Sequence, residues 1–241
     1  MAGHSKWKNI MHTKAKMDTK RAKIFTKLGK ELTVAVKAGG PNTASNSRLQ
    51  DVITKCKASN MPNDNIKKCI EKAAGANDAT NYEAITYEGY GPGGIAVLVN
   101  ALTDNKNRTA AEVRHAFDKF GGNLGTSGCV SFMFEKKGII LIERTDSISE
   151  DDLMIAALEA GAADFDAQDE YFEISTEISD FSNVLKQLEE GGFSFLEADL
   201  QWIPATTTLI EDDEVLTKME KLIDTLEDDD DVQNVWHNME N

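Results

Sequence analysis

An internal repeat with an offset of thirty residues is the feature of this sequence that most constrains its fold. Three groups of residues recur at that offset: Ile148-Ser149 with Ile178-Ser179, Leu158–Gly161 with Leu188–Gly191, and Phe165 with Phe195. Each copy has the length of a strand–helix–strand unit, and two such units in succession give the ferredoxin-like order βαββαβ. The pattern predicts strands at 139–143, 163–167, 171–176 and 194–200, with helices at 150–160 and 180–190.

The segments on either side of the repeat indicate a second unit of the same order. Before the repeat, apolar patterning predicts strands at 95–102 and 129–135 around a helix at 109–120. After it, the patterning predicts strands at 202–209 and 231–237 around a helix at 212–226. The repeat is therefore predicted to be inserted in the central hairpin of another ferredoxin-like domain.

The N-terminal third of the chain has the pattern of three helices. The first begins near Thr19 and stops at Gly39-Gly40-Pro41, where the chain loses both helix propensity and a backbone donor. The second begins after Ser45 or Asn46, and the third covers 63–74 and ends at Gly75. The short connection between the last two is compatible with a helix-turn-helix-like arrangement.

These elements together predict an α+β fold, in which an N-terminal three-helix domain is followed by two ferredoxin-like α+β domains, one inserted in the other. The expected domain limits are 1–79 for the basic arm and helices, 80–136 together with 202–241 for a discontinuous domain, and 137–201 for the inserted domain.

Charge is divided unevenly along the chain, although the net charge of −15 conceals this. Residues 1–72 hold sixteen Lys and Arg against five acids, a net charge of +11, whereas the remainder has a net charge of −26. A basic module on an acidic body is typical of a protein that binds a polyanion at one end. The imbalance extends over the arm and the three helices, and no acids are placed to neutralise it.

The basic segment supplies the predicted binding site. Trp7, His4 and His12 lie among the lysines of the first eighteen residues and could stack on unpaired bases. The alternative is that Trp7 packs the arm onto the helices. The predicted nucleic-acid-binding residues are Lys6, Trp7, Lys8, Lys14, Lys16, Lys20, Arg21, Lys23, Lys27 and Lys30, with Lys67, Lys68 and Lys72 in second rank.

Motifs that resemble catalytic sites do not have the required context. Gly91–Gly94 enters a strand rather than a helix and is not followed by a lysine, so it is not a phosphate-binding loop. Gly122–Gly125 has the GxxG sequence of KH domains, but it joins a helix to a strand instead of two helices. Ser127 lacks the second glycine of a nucleophile elbow. We expect no catalytic residues, no cofactor, no small-molecule substrate and no enzymatic activity.

Metal and membrane binding are not predicted either. Cys56, Cys69 and Cys129 lie at no ligand spacing from one another, and the acidic run at 227–231 is interpreted as a solvated turn, with cation binding as the alternative. No apolar run approaches the roughly 18–20 residues that cross a bilayer. The sequence shows no secretory signal pattern, and the expected location is the cytoplasm.

Three stretches of this chain resemble the YebC/PmpR family, which includes the mitochondrial translational activator of cytochrome c oxidase. They are MAGHSKWKNIMHTKAKMDTKRAKIFTKL at 1–28, SRLQDVITKCKASNMPNDNIKKCIEKAAG at 47–75, and YEGYGPGGIAVLVNALTDNKNRTAAEVRHAFDKFGGNLGTSGCVSFMFEKKG at 87–138. Beyond residue 138 the likeness is mainly one of pattern. The resemblance implies a non-enzymatic, cytoplasmic, three-domain α+β protein that acts as a DNA-binding transcriptional regulator, and a start at MAGHSKW implies the bacterial form.

The same resemblance implies a second hypothesis, because family members are also implicated in translation on ribosomes that stall at difficult sequences. The partner would then be ribosomal or transfer RNA, with the ribosome itself as a further partner, instead of duplex DNA. Charge does not separate the two hypotheses, since both partners present phosphates. The aromatic and histidine content of the arm favours unpaired RNA, whereas a three-helix module favours a DNA groove.

Overall fold

The computed structural model describes residues 17–75 and 81–240, with strands and helices interspersed after the first three helices. In chain order the elements are α1 (Met17–Gly39), α2 (Ser47–Ala58), α3 (Asn63–Ala74), β1 (Glu83–Tyr90), β2 (Ala96–Thr103), α4 (Lys106–Phe120), β3 (Asn123–Leu124), β4 (Phe134–Glu143), α5 (Glu150–Ala160), β5 (Asp164–Ala167), β6 (Tyr171–Thr176), α6 (Phe181–Glu190), β7 (Glu197–Pro204), α7 (Asp213–Glu227) and β8 (Val232–His237). In the part of the chain that is described, no helix is both long and apolar enough to span a bilayer.

The turn between α1 and α2 is organised by one buried asparagine. The Asn46 side chain accepts a hydrogen bond from the Leu49 backbone N–H at 3.0 Å, which caps the N-terminus of α2. Its amide nitrogen donates to the carbonyls of Ala35 at 2.9 Å and Gly40 at 2.8 Å, both at the end of α1. One side chain thus satisfies backbone groups at the end of one helix and the start of the next.

The first sheet has the strand order β3-β1-β2-β8 and is antiparallel. Its central strand β2 is buried on both faces. Val97 and Val99 pack with α4 and α7 on one face, whereas Ala96 and Leu98 pack with Val130, Phe134 and Trp236 on the other. This two-sided burial explains why β2 is a nearly continuous apolar run in the sequence.

The second sheet has the strand order β5-β6-β4-β7, with the first and third strands of the repeat in its middle. Helices α5 and α6 supply the core through Leu153, Ala157, Val184 and Leu188, packed with residues of the sheet such as Phe172. This is the ferredoxin-like arrangement that the thirty-residue repeat predicts.

The first sheet differs from its prediction in which strands flank β2. Residues 131–133 form a 3₁₀ turn where part of a strand at 129–135 was predicted, and β4, which begins at Phe134, belongs to the second sheet. Strand β7, which ends at Pro204, also belongs to the second sheet, so the prediction of a first-sheet strand at 202–209 is wrong. One neighbour of β2 is β8, a predicted strand, and the other is β1, a strand that the sequence patterning missed. The hairpin is favoured because Gly93 and Gly94 adopt φ values of +72° and +74° and close it within a few residues.

The predicted fold class is confirmed, since N-terminal helices are followed by α+β structure with two four-stranded antiparallel sheets. The described residues divide into two compact units. One contains 17–30, 81–135 and 202–240, and the other contains 31–75 and 136–201. The expected domain limits concern independent folding and stay a prediction.

Candidate nucleic-acid interface

The predicted binding residues are distributed over three regions. Lys6, Trp7, Lys8, Lys14 and Lys16 lie outside the described residues. Lys20 lies in α1, and Arg21 is exposed on the same helix. The remaining six form two groups, which the structure places in very different surroundings: Lys23, Lys27 and Lys30 on α1, and Lys67, Lys68 and Lys72 on α3.

Lys23, Lys27 and Lys30, here called the lysine stripe, donate to residues 227–231, here called the acidic segment. The Lys23 Nζ lies 3.1 Å from the Asp228 carboxylate and 3.1 Å from its carbonyl oxygen. The Lys27 Nζ donates to the Glu227 carbonyl at 2.6 Å. The Lys30 Nζ donates to the Asp230 carbonyl at 2.8 Å and the Asp231 carboxylate at 2.6 Å. The prediction that no acids neutralise these lysines is therefore wrong for the lysine stripe, whose acidic partners lie outside the basic segment.

Helix chemistry explains why the lysine stripe binds at this place. The acidic segment begins with the last residue of α7, where backbone carbonyls lack intrahelical donors and the helix dipole is negative. Positions 23, 27 and 30 are spaced by four and three residues, which places them on one face of α1. Three ammonium groups on one face thus meet a row of backbone and carboxylate oxygens.

Asp231 is the buried centre of this contact. Its carboxylate accepts from Lys30, from Arg108 Nη2 at 2.5 Å, and from the hydroxyls of Thr103 at 3.0 Å and Thr109 at 2.8 Å. Burial alone would raise the pKa of Asp231, but these donors outweigh it and lower the pKa well below 3.8. The interpretation of residues 227–231 as a solvated turn is wrong for Asp231, which is 5% exposed.

The carboxylates of Glu112, Asp229 and Asp231 lie within 4.8 Å of one another, a spacing that a cation could bridge. Lys30 and Arg108 already supply positive charge to Asp231 at hydrogen-bond distance. Burial and the nearby Asp229 raise the pKa of Glu112. The cluster is therefore built around ammonium and guanidinium partners.

Two further lysines of the basic segment are paired with acids, one of them Glu31 within the segment and the others in distant parts of the sequence. The Lys55 Nζ lies 3.1 Å from Glu31 and 2.6 Å from Asp199, and all three side chains are about four-fifths buried. Lys57 pairs with Glu189 at 3.0 Å in a more exposed position. Asp199 and Glu189, like the acidic segment, thus neutralise charge that the basic segment itself leaves uncompensated.

Helix α3 presents lysines in a different setting. Lys67, Lys68 and Lys72 are exposed, and none forms an ion pair with another described residue. The opposite face of α3 buries Ile66 and Ala73, which fixes the direction in which the lysines point. A connection of four residues joins α2 to α3, as the sequence suggested. Within the described chain, α3 therefore carries the predicted lysines that are available to an external anion.

Glu88 is a buried charged residue that sequence patterning missed, and it holds the loop after β3. Its Oε1 accepts from the Gly128 N–H at 2.7 Å, and its Oε2 accepts from Val130 and Ser131 at 2.9 and 2.8 Å. Burial opposes ionisation, but the three backbone donors outweigh it and lower the pKa of Glu88. A carboxylate on an inward-facing strand position is the sequence signal that could have revealed this contact.

The change Glu88→Gln is expected to lower the free energy of unfolding by about 1–3 kcal/mol, because an amide NH₂ must then face a backbone N–H. The carboxylate stabilises the fold above its ordinary pKa of 4.5, and this contribution is lost as the pH falls below that value. Urea unfolding of both proteins at neutral and acidic pH measures the difference. The matched control is Glu83→Gln, at the exposed end of β1, where a change within about 0.5 kcal/mol is expected. Equal losses for both variants would contradict the role given to Glu88.

The fold and the site define a class of α+β protein in which a basic helical segment precedes two antiparallel sheets. Residues 5–76 match the family described as "TACO1/YebC protein N-terminal domain", and residues 82–239 match "TACO1/YebC second and third domain". The chain therefore belongs to the TACO1/YebC family, as its resemblance to YebC/PmpR proteins predicted.

Relatives of known sequence and structure agree with this assignment. A protein of Acetivibrio thermocellus named "Probable transcriptional regulatory protein" is 62% identical over 238 residues, covering 99% of this chain and 98% of the relative. A protein of Clostridium botulinum with the same name is 59% identical over 240 residues, covering 100% and 97%. The crystal structure of a conserved hypothetical protein from Aquifex aeolicus superposes with a TM-score of 0.83 at 45% identity, covering 94% of this chain and 93% of that one.

Proposed function

We propose that this protein regulates gene expression by binding nucleic acid, as a DNA-binding transcriptional regulatory protein without catalytic activity. The observation that carries the proposal is the exposed lysine group of α3, which lies among basic residues that are otherwise largely paired with acids. The names of the relatives support regulation of transcription. The lack of an ion-pair partner among the described residues matters because an ammonium group binds a phosphate most strongly when no carboxylate competes for it.

The basic arm would extend the interface. Lys6, Lys8, Lys14, Lys16, Lys20 and Arg21 would add phosphate contacts, and Trp7 would stack on a base or pack the arm in place. Each neutralised phosphate releases counterions, so affinity should depend steeply on salt. The cytoplasm remains the proposed location.

The second candidate is a translation factor that binds ribosomal or transfer RNA and relieves stalled elongation. The observation that favours it is the presence of Trp7, His4 and His12 within the basic arm, because aromatic rings bind unpaired bases better than a duplex. Measurements on matched duplex DNA and single-stranded RNA separate the two candidates. Tighter binding to the RNA would favour the translation factor.

The triple change Lys67→Gln, Lys68→Gln and Lys72→Gln tests the α3 surface. Each lost phosphate contact should flatten the slope of log affinity against log salt by about 0.9 on duplex DNA or about 0.7 on a single strand. The measurement is fluorescence anisotropy of the full chain with a short labelled DNA duplex of mixed sequence and with an RNA strand of the same sequence.

The matched control is Lys186→Gln, Lys218→Gln and Lys221→Gln, which removes the same charge from exposed positions of the acidic body. We expect that control to leave the salt slope unchanged. The proposal is wrong for α3 if the two triple variants bind alike on both probes.

A further inference from the structure

The lysine stripe is graded from an exposed end to a buried end. The side chains of Lys23 and Asp228 are 39% and 64% exposed, whereas those of Lys30 and Asp231 are 11% and 7% exposed. An exposed ion pair contributes little to stability and exchanges partners readily. A buried, multiply hydrogen-bonded pair is costly to separate. Of the two outer lysines, Lys23 is therefore exchangeable, whereas Lys27 is partly buried but donates to a backbone carbonyl instead of a buried carboxylate. Lys30 is a structural anchor.

The acidic segment offers the outer lysines the kind of acceptor that a nucleic-acid backbone offers. Lys23 meets a carboxylate and a carbonyl of Asp228, and Lys27 meets the Glu227 carbonyl with Asp229 and Asp230 nearby. Phosphodiester oxygens would approach the same ammonium groups from the same side of α1. One ammonium group cannot satisfy both sets of oxygens at full strength.

We propose that the acidic segment is an intramolecular competitor that occupies Lys23 and Lys27 until a polyanion displaces it. The inference rests on the proposed nucleic-acid binding and adds regulation of that surface. Exchange is confined to the outer part of the stripe, because Asp231 stays anchored by Lys30, Arg108 and two threonine hydroxyls. Only a partner with closely spaced phosphates replaces several oxygens of the acidic segment at once. Weak or isolated anions therefore do not displace the segment from the lysines.

The test is the double change Asp228→Asn and Asp230→Asn in the full chain, which weakens the competitor but leaves Asp231 intact. The expected result is tighter binding of the labelled DNA duplex or RNA strand by about threefold to tenfold near 0.1 M salt, with a salt slope steeper by about one to two. The matched control is Glu211→Gln with Glu220→Gln, which makes the same change in net charge at exposed positions before and on α7. That control should leave both quantities near those of the unaltered protein.

A second comparison identifies the lysines that gain the contact. When Lys23→Gln and Lys27→Gln are added to the acidic double variant, the gain in affinity should disappear. The competition is overturned if the acidic variant and its control bind equally, or if the gain persists without the two lysines. Circular dichroism of every variant tests whether the fold is retained.

Failure of the proposed function has a different signature. The full chain would then show no salt-dependent binding to either probe, and the α3 triple variant would bind like the unaltered protein. In that case the competition is overturned as well, because no polyanion reaches the stripe.

Discussion

Asp231→Asn is expected to lower the free energy of unfolding by about 3–5 kcal/mol, one of the two largest effects of any substitution considered for this chain. The change removes the charge that Lys30 and Arg108 share, and it leaves the Lys30 ammonium group buried without a carboxylate. Thr103 and Thr109 lose a strong acceptor at the same time. Urea unfolding monitored by circular dichroism measures the loss.

Asp230→Asn is the control for this prediction. It makes the same chemical change one residue earlier, where the side chain is exposed and only the backbone carbonyl accepts from Lys30. We expect that variant to unfold within about 0.5 kcal/mol of the unaltered protein. A comparable loss for both variants would show that net charge, and not the buried cluster, determines stability.

The pH dependence has a definite sign. Asp231 has a folded pKa below its ordinary value of 3.8, so its contribution is fully present above that value and declines as the pH falls toward the folded pKa. The difference in free energy of unfolding between the unaltered protein and Asp231→Asn should therefore be constant near neutral pH and decrease below about pH 4. A difference that increases in acid would contradict the lowered pKa of Asp231.

The parts of the fold that the sequence predicted are those with a strong local signal. The thirty-residue repeat marks every helix and strand of the second sheet, because each copy must bury its apolar face on the other. Strand β1 was missed because its sequence, EAITYEGY, contains two glutamates and a glycine, and most of its positions remain partly exposed. Its pairing with β2 depends on the hairpin turn instead of on apolar alternation.

At the candidate site, local sequence predicted where the charged residues lie but not which partners they have. Lysine spacing on α1 predicted one basic face, but its partners lie about two hundred residues away, and no local pattern could identify them. Composition also could not predict that the lysines of α3 are exposed. Lys55 and Lys67 belong to the same basic segment and differ only in what packs on them. Tertiary contacts thus decide which lysines are structural and which remain available.

Lys55→Met is the second substitution with a large expected effect, a loss of about 3–5 kcal/mol in the free energy of unfolding. Burial works against the Lys55 charge, but Asp199 and Glu31 outweigh it and raise the pKa of the ammonium group. Methionine fills a similar volume but leaves two carboxylates facing each other in a mostly buried place. The repulsion between them, together with the lost hydrogen bonds, accounts for the expected loss.

Lys57→Met is the matched control, because Lys57 pairs with Glu189 at the surface and should cost at most about 1 kcal/mol. Adding Asp199→Asn to Lys55→Met should restore part of the lost stability, because one of the two unpaired carboxylates is then neutral.

Lowering the pH should also restore part of the stability of Lys55→Met. Burial raises the pKa of Glu31, and the removal of Lys55, which lowers that pKa, raises it further. The variant should therefore gain stability relative to the unaltered protein as the pH falls from about 7 to about 4. If Lys55→Met unfolds like Lys57→Met and shows no such recovery, the buried bridge does not stabilise this unit.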